Sequence, residues 1–311
     1  MNDRSRLLAI TLSIAAVERD TGLSKDTLRV WERRYGFPAP GRDGIGERAY
    51  TMVEVEKLRV IKRLLDAGHR PGRIVPLALD ALQALTEQTV DQPVRSADSA
   101  LGIDGLRLTI DLIRSHNAPR LRGELTRLLS RVGVARFVNE VVAPLNAGVG
   151  DAWLRGQLQV FEEHLYTEAV QSVLRGAVAS VPDPVANDSP RVLLSTMPGE
   201  PHGLGLLMAE AVLAVEGCRC VSLGTQTPLW DLVLAAAALR SDIVGLSFSG
   251  CMNPNQVADG LTELRAKLPP TVALWAGGSA PVLHRRPVPG VQAFNTLAEV
   301  PAALQQLRRQ G

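Results

Sequence analysis

Hydrophobic and polar residues alternate differently in successive regions of the chain. Within residues 100–180, apolar side chains recur every three or four positions, as at Leu121, Leu125 and Leu128, which is the period of an amphipathic helix. After residue 190, short apolar runs alternate with helical segments, as they do in parallel α/β sheets. The pattern predicts a helical bundle followed by a Rossmann-like, doubly wound parallel sheet. Strands are expected at residues 192–197, 243–249 and 271–275, and helices at 204–215, 228–239 and 256–268.

The amino-terminal region has the pattern of a winged helix-turn-helix. Two short helical segments, each preceded by a serine that can cap it (Ser13 and Ser24), flank a turn that contains Gly22. A glycine-rich hairpin at residues 40–50 would form the wing. The whole chain is therefore predicted to be a multidomain α and α/β protein.

Two polar stretches with the composition of linkers separate these regions. The first covers residues 86–99 and the second residues 181–190. They predict three domains: a winged helix-turn-helix at 1–85, a four-helix bundle at 100–180 and a Rossmann-like domain at 190–311.

Composition narrows the class of protein. The 311 residues are 46% hydrophobic and 21% charged, which is typical of a globular protein. No apolar run is long enough to span a membrane, no signal peptide is visible, and the three cysteines indicate a reducing compartment, so we expect a cytoplasmic protein. Basic residues outnumber acidic ones within residues 1–80, although the net charge of the chain is only +2. This asymmetry indicates a nucleic-acid partner at the amino-terminal end.

The second helix of the helix-turn-helix carries basic residues that can meet phosphates and base edges in the major groove of double-stranded DNA. The alternative is a basic helix pair that is merely solvated. This helix and wing resemble the signature of the MerR family of winged helix-turn-helix regulators, through Thr27-Leu28-Arg29-x-Trp31-Glu32-Arg33-Arg34-Tyr35-Gly36 followed by Arg48-x-Tyr50. The resemblance implies DNA contacts from the wing as well, and places Leu28 and Trp31 in the core. It also implies a helix at residues 53–68 that closes the domain. The candidate DNA-binding residues are Lys25, Thr27, Arg29, Arg33, Arg34, Arg42, Arg48 and Tyr50.

A histidine motif follows the first strand of the predicted sheet. Glu200 precedes His202 by two residues, and Gly205 follows it by three. A carboxylate can accept the second ring N–H of a metal-ligating histidine, and a glycine lets a large flat ligand approach the backbone. Taken alone, a histidine in such a loop is more often a surface or capping residue.

Further polar or glycine positions follow the next two predicted strands. Ser247 and Ser249 end one strand, and Gly277 and Gly278 end the other. In open α/β sheets, ligands bind at the edge formed by the carboxyl ends of the strands, so these positions are expected to share a site with His202.

These motifs resemble the cobalamin-binding domain shared by methionine synthase, the B12-dependent mutases and related regulators. That family shows Asp/Glu-x-His-x-x-Gly, Ser-x-Leu/Thr and Gly-Gly at about these intervals, and this chain departs from it at Ser249, in the pocket expected for the nucleotide tail. The resemblance implies that His202 is the lower axial ligand of cobalt and that Glu200 orients it. The tail of cobalamin would lie beside the serine and glycine positions.

A second motif lies in the predicted bundle. Trp153 precedes Glu163 by ten positions and His164 by eleven, about three helical turns, so the three side chains would share roughly one face of a helix. The alternative is a buried tryptophan beside a partly exposed acid and histidine, with Glu162 a solvated neighbour. The spacing resembles the Trp-x9-Glu-His motif of the CarH/LitR family of B12-dependent photoreceptor repressors. The order of the three predicted domains matches that family as well.

The resemblance implies a light-responsive transcriptional repressor rather than an enzyme. In the dark, 5′-deoxyadenosylcobalamin would bind with Trp153 over its upper face, while Glu163 and His164 hold the adenosyl group; methylcobalamin and hydroxocobalamin are the alternative forms. A homo-oligomer, by implication a tetramer, would bind operator DNA and dissociate when light breaks the cobalt–carbon bond. His202 is the candidate metal ligand. The candidate cofactor-binding residues are Trp153, Glu163, His164, Glu200, His202, Gly205, Ser247, Ser249, Gly277 and Gly278.

Two other functions stay open at this point. One is a MerR-type sensor of cobalamin or redox state that does not respond to light. The other is a corrinoid carrier or enzyme subunit, against which the predicted winged helix argues. Family members that trap cobalt on a second histidine carry it beside the tryptophan, where this chain has Leu154, so ligation by two histidines after illumination is not expected there. His69, His116 and His284 lack metal-ligand spacing and are expected at the surface.

Overall fold

The computed structural model describes residues 11–90, 102–182, 184, 189–250 and 252–310. The chain divides into two compact units, residues 1–93 with 151–157 and residues 94–150 with 158–311. Because the predicted bundle and the predicted sheet share the second unit, the three-domain division remains a prediction. Most of the first predicted linker and part of the second lie outside the described residues.

The first unit contains a three-stranded antiparallel sheet and short helices, with the strands in the order β1-β3-β2. The strands are β1 (Thr11–Ser13), β2 (Gly41–Arg42) and β3 (Arg48–Thr51). The helices are α1 (Ile14–Thr21), α2 (Lys25–Tyr35), α3 (Met52–Asp66), α4 (Pro71–Ile74) and α5 (Leu79–Val90).

Local sequence explains where the helices of this unit begin. Ser13 and Ser24 cap α1 and α2, each accepting a hydrogen bond from a backbone amide in the first turn. Thr51 and Glu54 form a capping box at the start of α3. The predicted helix-turn-helix and wing are confirmed, whereas β1, which no sequence pattern predicted, completes the sheet by pairing with β3.

The core of the first unit contains Leu28 and Trp31, as the resemblance implied. The predicted start of the first linker at Thr86 is wrong, because α5 continues to Val90. The Thr86 side chain is buried, and its hydroxyl donates to the carbonyl oxygen of Leu82 at 2.8 Å. A hydroxyl satisfied within its own helix does not interrupt that helix, which the polar composition alone could not reveal.

The second unit begins with the helical bundle, in which the side chains of Leu121, Leu125 and Leu128 are buried as their spacing predicted. One long helix of the bundle contains a π-helical segment, a wide turn that is frequent at functional sites. The last residues of this helix, 151–154, are grouped with the first unit. The elements are α6 (Gly102–Arg114), α7 (Ala118–Val132), α8 (Val134–Arg136), a π-helix (Phe137–Val142), α9 (Ala143–Leu154) and α10 (Val160–Ala179).

A five-stranded parallel sheet follows, with the strands in the order β5-β4-β6-β7-β8. The strands are β4 (Arg191–Ser195), β5 (Arg219–Ser222), β6 (Ile243–Phe248), β7 (Ala273–Gly278) and β8 (Val291–Phe294). The helices are α11 (Leu204–Val215), α12 (Leu229–Ala238), α13 (Pro254–Lys267), α14 (Val282–Arg285), a 3-10 turn (Leu297–Glu299) and α15 (Val300–Gln310). The predicted fold class is confirmed. None of the helices that the structure describes has the length and apolarity needed to cross a bilayer.

The strand order fixes where a ligand can bind. The chain runs from β4 to the edge strand β5 and then returns to β6 on the other side of β4. The loops after β4 and β6 therefore lead away from each other and leave a crevice at the carboxyl edge of the sheet. The loop after β4 contains His202, and the loop after β6 contains Ser249.

Candidate functional site

His202 lies in the loop after β4 and is held by Glu200. Its Nδ1 is 2.7 Å from Glu200 Oε1, and its backbone amide donates to the same oxygen at 3.0 Å. An ionised carboxylate only accepts, so Nδ1 carries the proton, and in the neutral ring Nε2 then carries the lone pair that a metal would use. The side chain of His202 is 57% exposed, whereas that of Glu200 is fully buried.

The second oxygen of Glu200 joins the loop after β6. Oε2 accepts hydrogen bonds from the backbone amide of Ser249 at 2.6 Å and from its hydroxyl at 2.7 Å. Burial alone would raise the pKa of Glu200, but the hydrogen bonds from His202 and Ser249 outweigh it and lower the pKa below its usual value. Ser249, expected only as a departure within the tail pocket, thus also fixes the carboxylate that orients the histidine.

A cavity of about 540 Å³ opens at this edge of the sheet within the second unit. It brings together most of the predicted residues of the Rossmann-like region. The predicted residues in its lining are His202, Gly205, Ser247, Ser249, Gly277 and Gly278. Its walls are largely apolar, as those of small-molecule sites are.

Two glycines let the walls of the cavity approach each other. A Cβ on Gly278, whose φ is +114°, would lie 2.1 Å from the carbonyl oxygen of Phe248. A Cβ on Gly205 would lie 2.7 Å from Ser247 Oγ. A Cβ at either position would require its neighbours to shift. The two glycines therefore allow the backbone segments of the cavity wall to pack closely together.

These features fit a corrinoid. A single imidazole with a fixed tautomer suits a metal whose macrocycle supplies the other donors. The glycine-lined cavity has a volume of about 540 Å³, within the range of small-molecule sites, so it has room for part of an extended ligand beside the histidine.

The bundle contributes lining residues that no sequence motif indicated. Asn139, Ala143 and Asn146 recur at helical spacing along one face of the helix that contains the π-segment. Tyr166 donates to Asn146 Oδ1 at 2.6 Å, and Asn146 Nδ2 lies 3.3 Å from the sulfur of Met208. Burial raises the pKa of Tyr166 well above its usual value, so its phenol stays a donor and holds the amide in place. In the sequence, only the spacing of Asn139, Ala143 and Asn146 by four and three residues could have indicated that they share a helix face.

The tryptophan motif is arranged differently from the prediction. The helical-face argument is wrong, because α9 ends at Leu154 and α10 begins only at Val160. Glu163 Oε1 accepts from the hydroxyl of Thr167 at 2.6 Å, and its Oε2 lies 3.7 Å from His164 Nε2. The side chain of His164 is 70% exposed, and neither residue is in the cavity lining. Trp153 belongs to the first unit, where the guanidinium carbon of Arg63 lies 5.8 Å from its ring centroid.

The expectation that Glu162 is a solvated neighbour is wrong. Glu162 is buried, and its Oε2 accepts the backbone amide of Gln159 at 2.7 Å in a capping box at the start of α10. Its Oε1 lies 3.2 Å from Nε2 of His116, whose side chain is 55% exposed. The capping box between Gln159 and Glu162 stabilises the start of α10.

Helix α2, the second helix of the helix-turn-helix, presents basic residues with different partners. Lys25 pairs with Glu18 at 3.5 Å, and Arg29 pairs with Asp26 at 3.1 Å. Arg33 and Arg34 are exposed, and neither forms an ion pair with a residue that the structure describes. These two arginines are therefore the cations of α2 that can meet phosphate without breaking an existing pair. Thr27 Oγ1 lies 2.8 Å from Ser24 Oγ, so this threonine supports the helix cap.

The wing residues are only partly available. Arg42 is exposed, and its Nη1 donates to the carbonyl oxygen of Gly46 at 3.0 Å. Arg48 Nε donates to Glu32 Oε2 at 2.9 Å, which raises the pKa of the guanidinium. The side chain of Tyr50 is buried in the core, which corrects the expectation that it reaches DNA. Within the described part of the chain, its hydroxyl is the buried side-chain atom that lacks a hydrogen-bond partner.

Family models match two parts of the chain. Residues 12–78 match the MerR HTH family regulatory protein model, and residues 109–175 match the B12 binding domain model. The second match covers the helical bundle.

Relatives cover almost the whole chain. The chain is 32% identical to the HTH-type transcriptional repressor CarH of Myxococcus xanthus over 85% of this chain and 87% of that protein. It is also 32% identical to the HTH-type transcriptional repressor CarA of the same organism over 96% of this chain and 98% of that protein. Among solved structures, the monomethylamine corrinoid protein of Methanosarcina barkeri superposes with a TM-score of 0.52 at 15% identity. That match covers 64% of this chain and 96% of the other, and it shows a shared fold.

Proposed function

The chain belongs to the family of the transcriptional repressors CarH and CarA, and we propose that this cobalamin-binding regulator is a repressor that binds 5′-deoxyadenosylcobalamin in the dark and is released from DNA by light. The relatives that cover most of the chain are transcriptional repressors, so it is a regulator rather than an enzyme. The observation that carries the proposal is His202, held by the buried Glu200 carboxylate at the mouth of a large cavity.

His202 would hold the cobalt of the corrinoid through Nε2. Glu200, kept ionised by its hydrogen bonds, would accept the hydrogen bond from Nδ1–H and so make Nε2 a stronger ligand to the metal. Gly205, Ser247 and the pair Gly277–Gly278 would accommodate the nucleotide tail. When bound, adenosylcobalamin would supply a cobalt–carbon bond that visible light can break.

The adenosyl group would be recognised by Trp153, Glu163 and His164. Glu163 already accepts one hydrogen bond from Thr167 and so keeps its carboxylate oriented. The exposed side chain of His164 would have to turn toward the adenosyl group. Its conformation would then differ between the chain with and without bound cofactor. Leu154, buried in the structure, offers no nitrogen to cobalt.

Self-association would convert cofactor binding into DNA binding. A tetramer would place several winged helices on one operator, so that each further contact is made at a high effective concentration. Loss of the tetramer would weaken operator binding by about 10²–10⁴-fold with α2 and the wing unchanged.

The proposal is tested with the full chain and adenosylcobalamin prepared in darkness. We expect light scattering to show a fall in molar mass after green illumination, and affinity for duplex DNA selected from a random pool in the dark to fall with it. The same chain with methylcobalamin or hydroxocobalamin is the comparison. A mass and an affinity that do not change on illumination would exclude light as the signal.

One observation favours a second function, a cobalamin or redox sensor that does not respond to light. Glu163 and His164 do not line the cavity, so recognition of an adenosyl group depends on a rearrangement. In that case hydroxocobalamin and adenosylcobalamin would change the molar mass equally, in darkness and in light.

A further inference from the structure

One side-chain amide of the bundle lies at the cavity wall with its donor group beside a sulfur atom. Asn146 is on α9 and lines the cavity together with Met208 of α11. Its Nδ2 lies 3.3 Å from the Met208 sulfur, and its Oδ1 accepts a hydrogen bond from the Tyr166 hydroxyl at 2.6 Å. These three residues and the whole lining of the cavity belong to the second unit.

These contacts decide which end of the amide faces which neighbour. A thioether sulfur has no hydrogen to donate and accepts only weakly, so the group beside Met208 has to be the NH2. The Tyr166 side chain is buried, and its hydroxyl needs the acceptor that Asn146 Oδ1 provides. Among the residues that the structure describes, the sulfur of Met208 is the acceptor for the NH2 of Asn146.

The other bundle amide in the lining already has a strong partner. Asn139 Nδ2 donates to the backbone carbonyl oxygen of Ala135 at 2.9 Å, four residues earlier in the chain. An N–H bonded to a carbonyl gains little from a new acceptor, whereas an N–H beside a sulfur gains a much stronger one when a ligand offers an oxygen. Asn146 is therefore the better suited of the two to bind a polar atom of a ligand.

We propose that Asn146 is a specificity residue of the corrinoid site that donates a hydrogen bond to an oxygen atom of the ligand, with Tyr166 as its positioning residue. The inference rests on the proposed function, but only on the part in which this cavity binds a corrinoid. A corrinoid offers two kinds of oxygen to such a donor. They are the amide carbonyls at the edge of the ring and the phosphodiester of the nucleotide tail.

The apolar walls make this donor important. A ligand oxygen that enters the cavity loses its bound water and depends on the protein for a replacement partner. Leaving such an oxygen without a donor weakens binding by roughly 5–100-fold. Tyr166 acts indirectly, because its bond to Oδ1 keeps the NH2 of Asn146 turned toward Met208.

The test uses the full chain with hydroxocobalamin and with cobinamide, which keeps the ring amides but lacks the nucleotide tail. Asn146→Leu removes the whole amide. Asn146→Asp keeps the shape and the acceptor for Tyr166 but has no N–H at about pH 8, where an ordinary aspartate is ionised. Tyr166→Phe removes only the hydroxyl. Gln306→Leu, at an exposed amide on α15, is the matched control. Dissociation constants are measured by absorbance titration, and urea unfolding without ligand checks that each variant is folded.

We expect Asn146→Leu and Asn146→Asp each to weaken hydroxocobalamin binding by about tenfold. Tyr166→Phe should weaken it by about threefold, because the amide is then free to turn. Gln306→Leu should bind as the wild type does. An equal loss with cobinamide would assign the contact to a ring carbonyl, and an unchanged affinity for cobinamide would assign it to the phosphodiester.

Unchanged affinity for both ligands in either folded substitution of Asn146 would overturn the proposal. If Asn146→Leu does not fold, Asn146→Asp decides, because a role in packing alone would be preserved by its nearly identical shape. A folded wild-type chain that binds neither corrinoid would refute the proposed function itself. Since neither ligand carries an adenosyl group, a chain that binds both but does not respond to light would leave the assignment of Asn146 intact.

Discussion

A single carboxylate joins the two loops of the candidate site. Glu200 accepts four hydrogen bonds, two from His202 and two from Ser249, and is completely buried. These bonds exist only in the folded chain and favour the ionised form. The stability of the second unit should therefore depend on the protonation of this residue.

The sign of that dependence follows from the lowered pKa of Glu200. Its contribution to the free energy of unfolding is complete above the ordinary glutamate pKa of about 4.3 and is lost as the pH falls through the lowered value. Urea unfolding of the wild type and Glu200→Gln should differ most near neutral pH, and the difference should shrink in acid. Glu263→Gln, at an exposed residue, is the control. A difference that is constant with pH would contradict the assignment.

At the same scale, the sequence could identify pairs that are close along the chain but not distant ones. Glu200 and His202 were predicted as partners because two residues separate them. The bond from Ser249 crosses between two loops and depends on the adjacency of β4 and β6. Glu162 has one partner close by, the Gln159 amide, but its side-chain partner His116 is 46 residues away, and no sequence pattern indicated that contact.

Among the elements, β7 depends on its terminal glycine. At Gly278, Ala would combine a left-handed φ with a Cβ 2.1 Å from the Phe248 carbonyl oxygen. We expect Gly278→Ala to lower the free energy of unfolding by more than about 2 kcal/mol, measured by urea denaturation. Gly176→Ala is the matched control, because this exposed glycine lies within α10 and has open space around it. That control should raise stability by about 0.5–1 kcal/mol. Equal effects of the two changes would show that the glycine conformation is not what matters.

Helix α2 gives a prediction for DNA binding. Arg33 is exposed and has no ion pair with a described residue, so it can replace a counterion on the phosphate backbone. Arg33→Ala should weaken binding to all duplex sequences alike and reduce the slope of log affinity against log salt by about 1. Arg122→Ala, in the second unit, should change neither. A loss confined to one sequence would instead indicate that Arg33 contacts a base.

Element boundaries were predictable where the pattern was long. The helix at 204–215 was found at the predicted residues, because its apolar run is long and only Glu210 interrupts it with a charge. Strands β1 and β8 have only three and four residues, too few for a periodic signal, and tertiary pairing alone creates them. The break between α9 and α10 was missed because residues 155–159 contain one glycine and no proline.

For the whole molecule, the proposed function makes His202 the link between light and DNA. His202→Ala should lose tight corrinoid binding, more than about a hundredfold, since even residues that only support metal ligands cost 10–100-fold. Its molar mass and DNA affinity should then be the same in darkness and after green illumination. His284→Ala, at an exposed histidine, should behave as the wild type. A light response that survives in His202→Ala would remove cobalt ligation by this residue from the mechanism.

The order of the parallel strands has one more consequence. His202 and Ser249 lie in the loops after β4 and β6, two strands whose backbones pair directly. The Glu200 carboxylate is hydrogen-bonded to both residues. Any slippage of one strand against its neighbour would tilt the imidazole. The ¹⁵N chemical shifts of the His202 ring should therefore change when the register of β4 against β6 changes, so an exposed side chain reports on the alignment of the buried sheet.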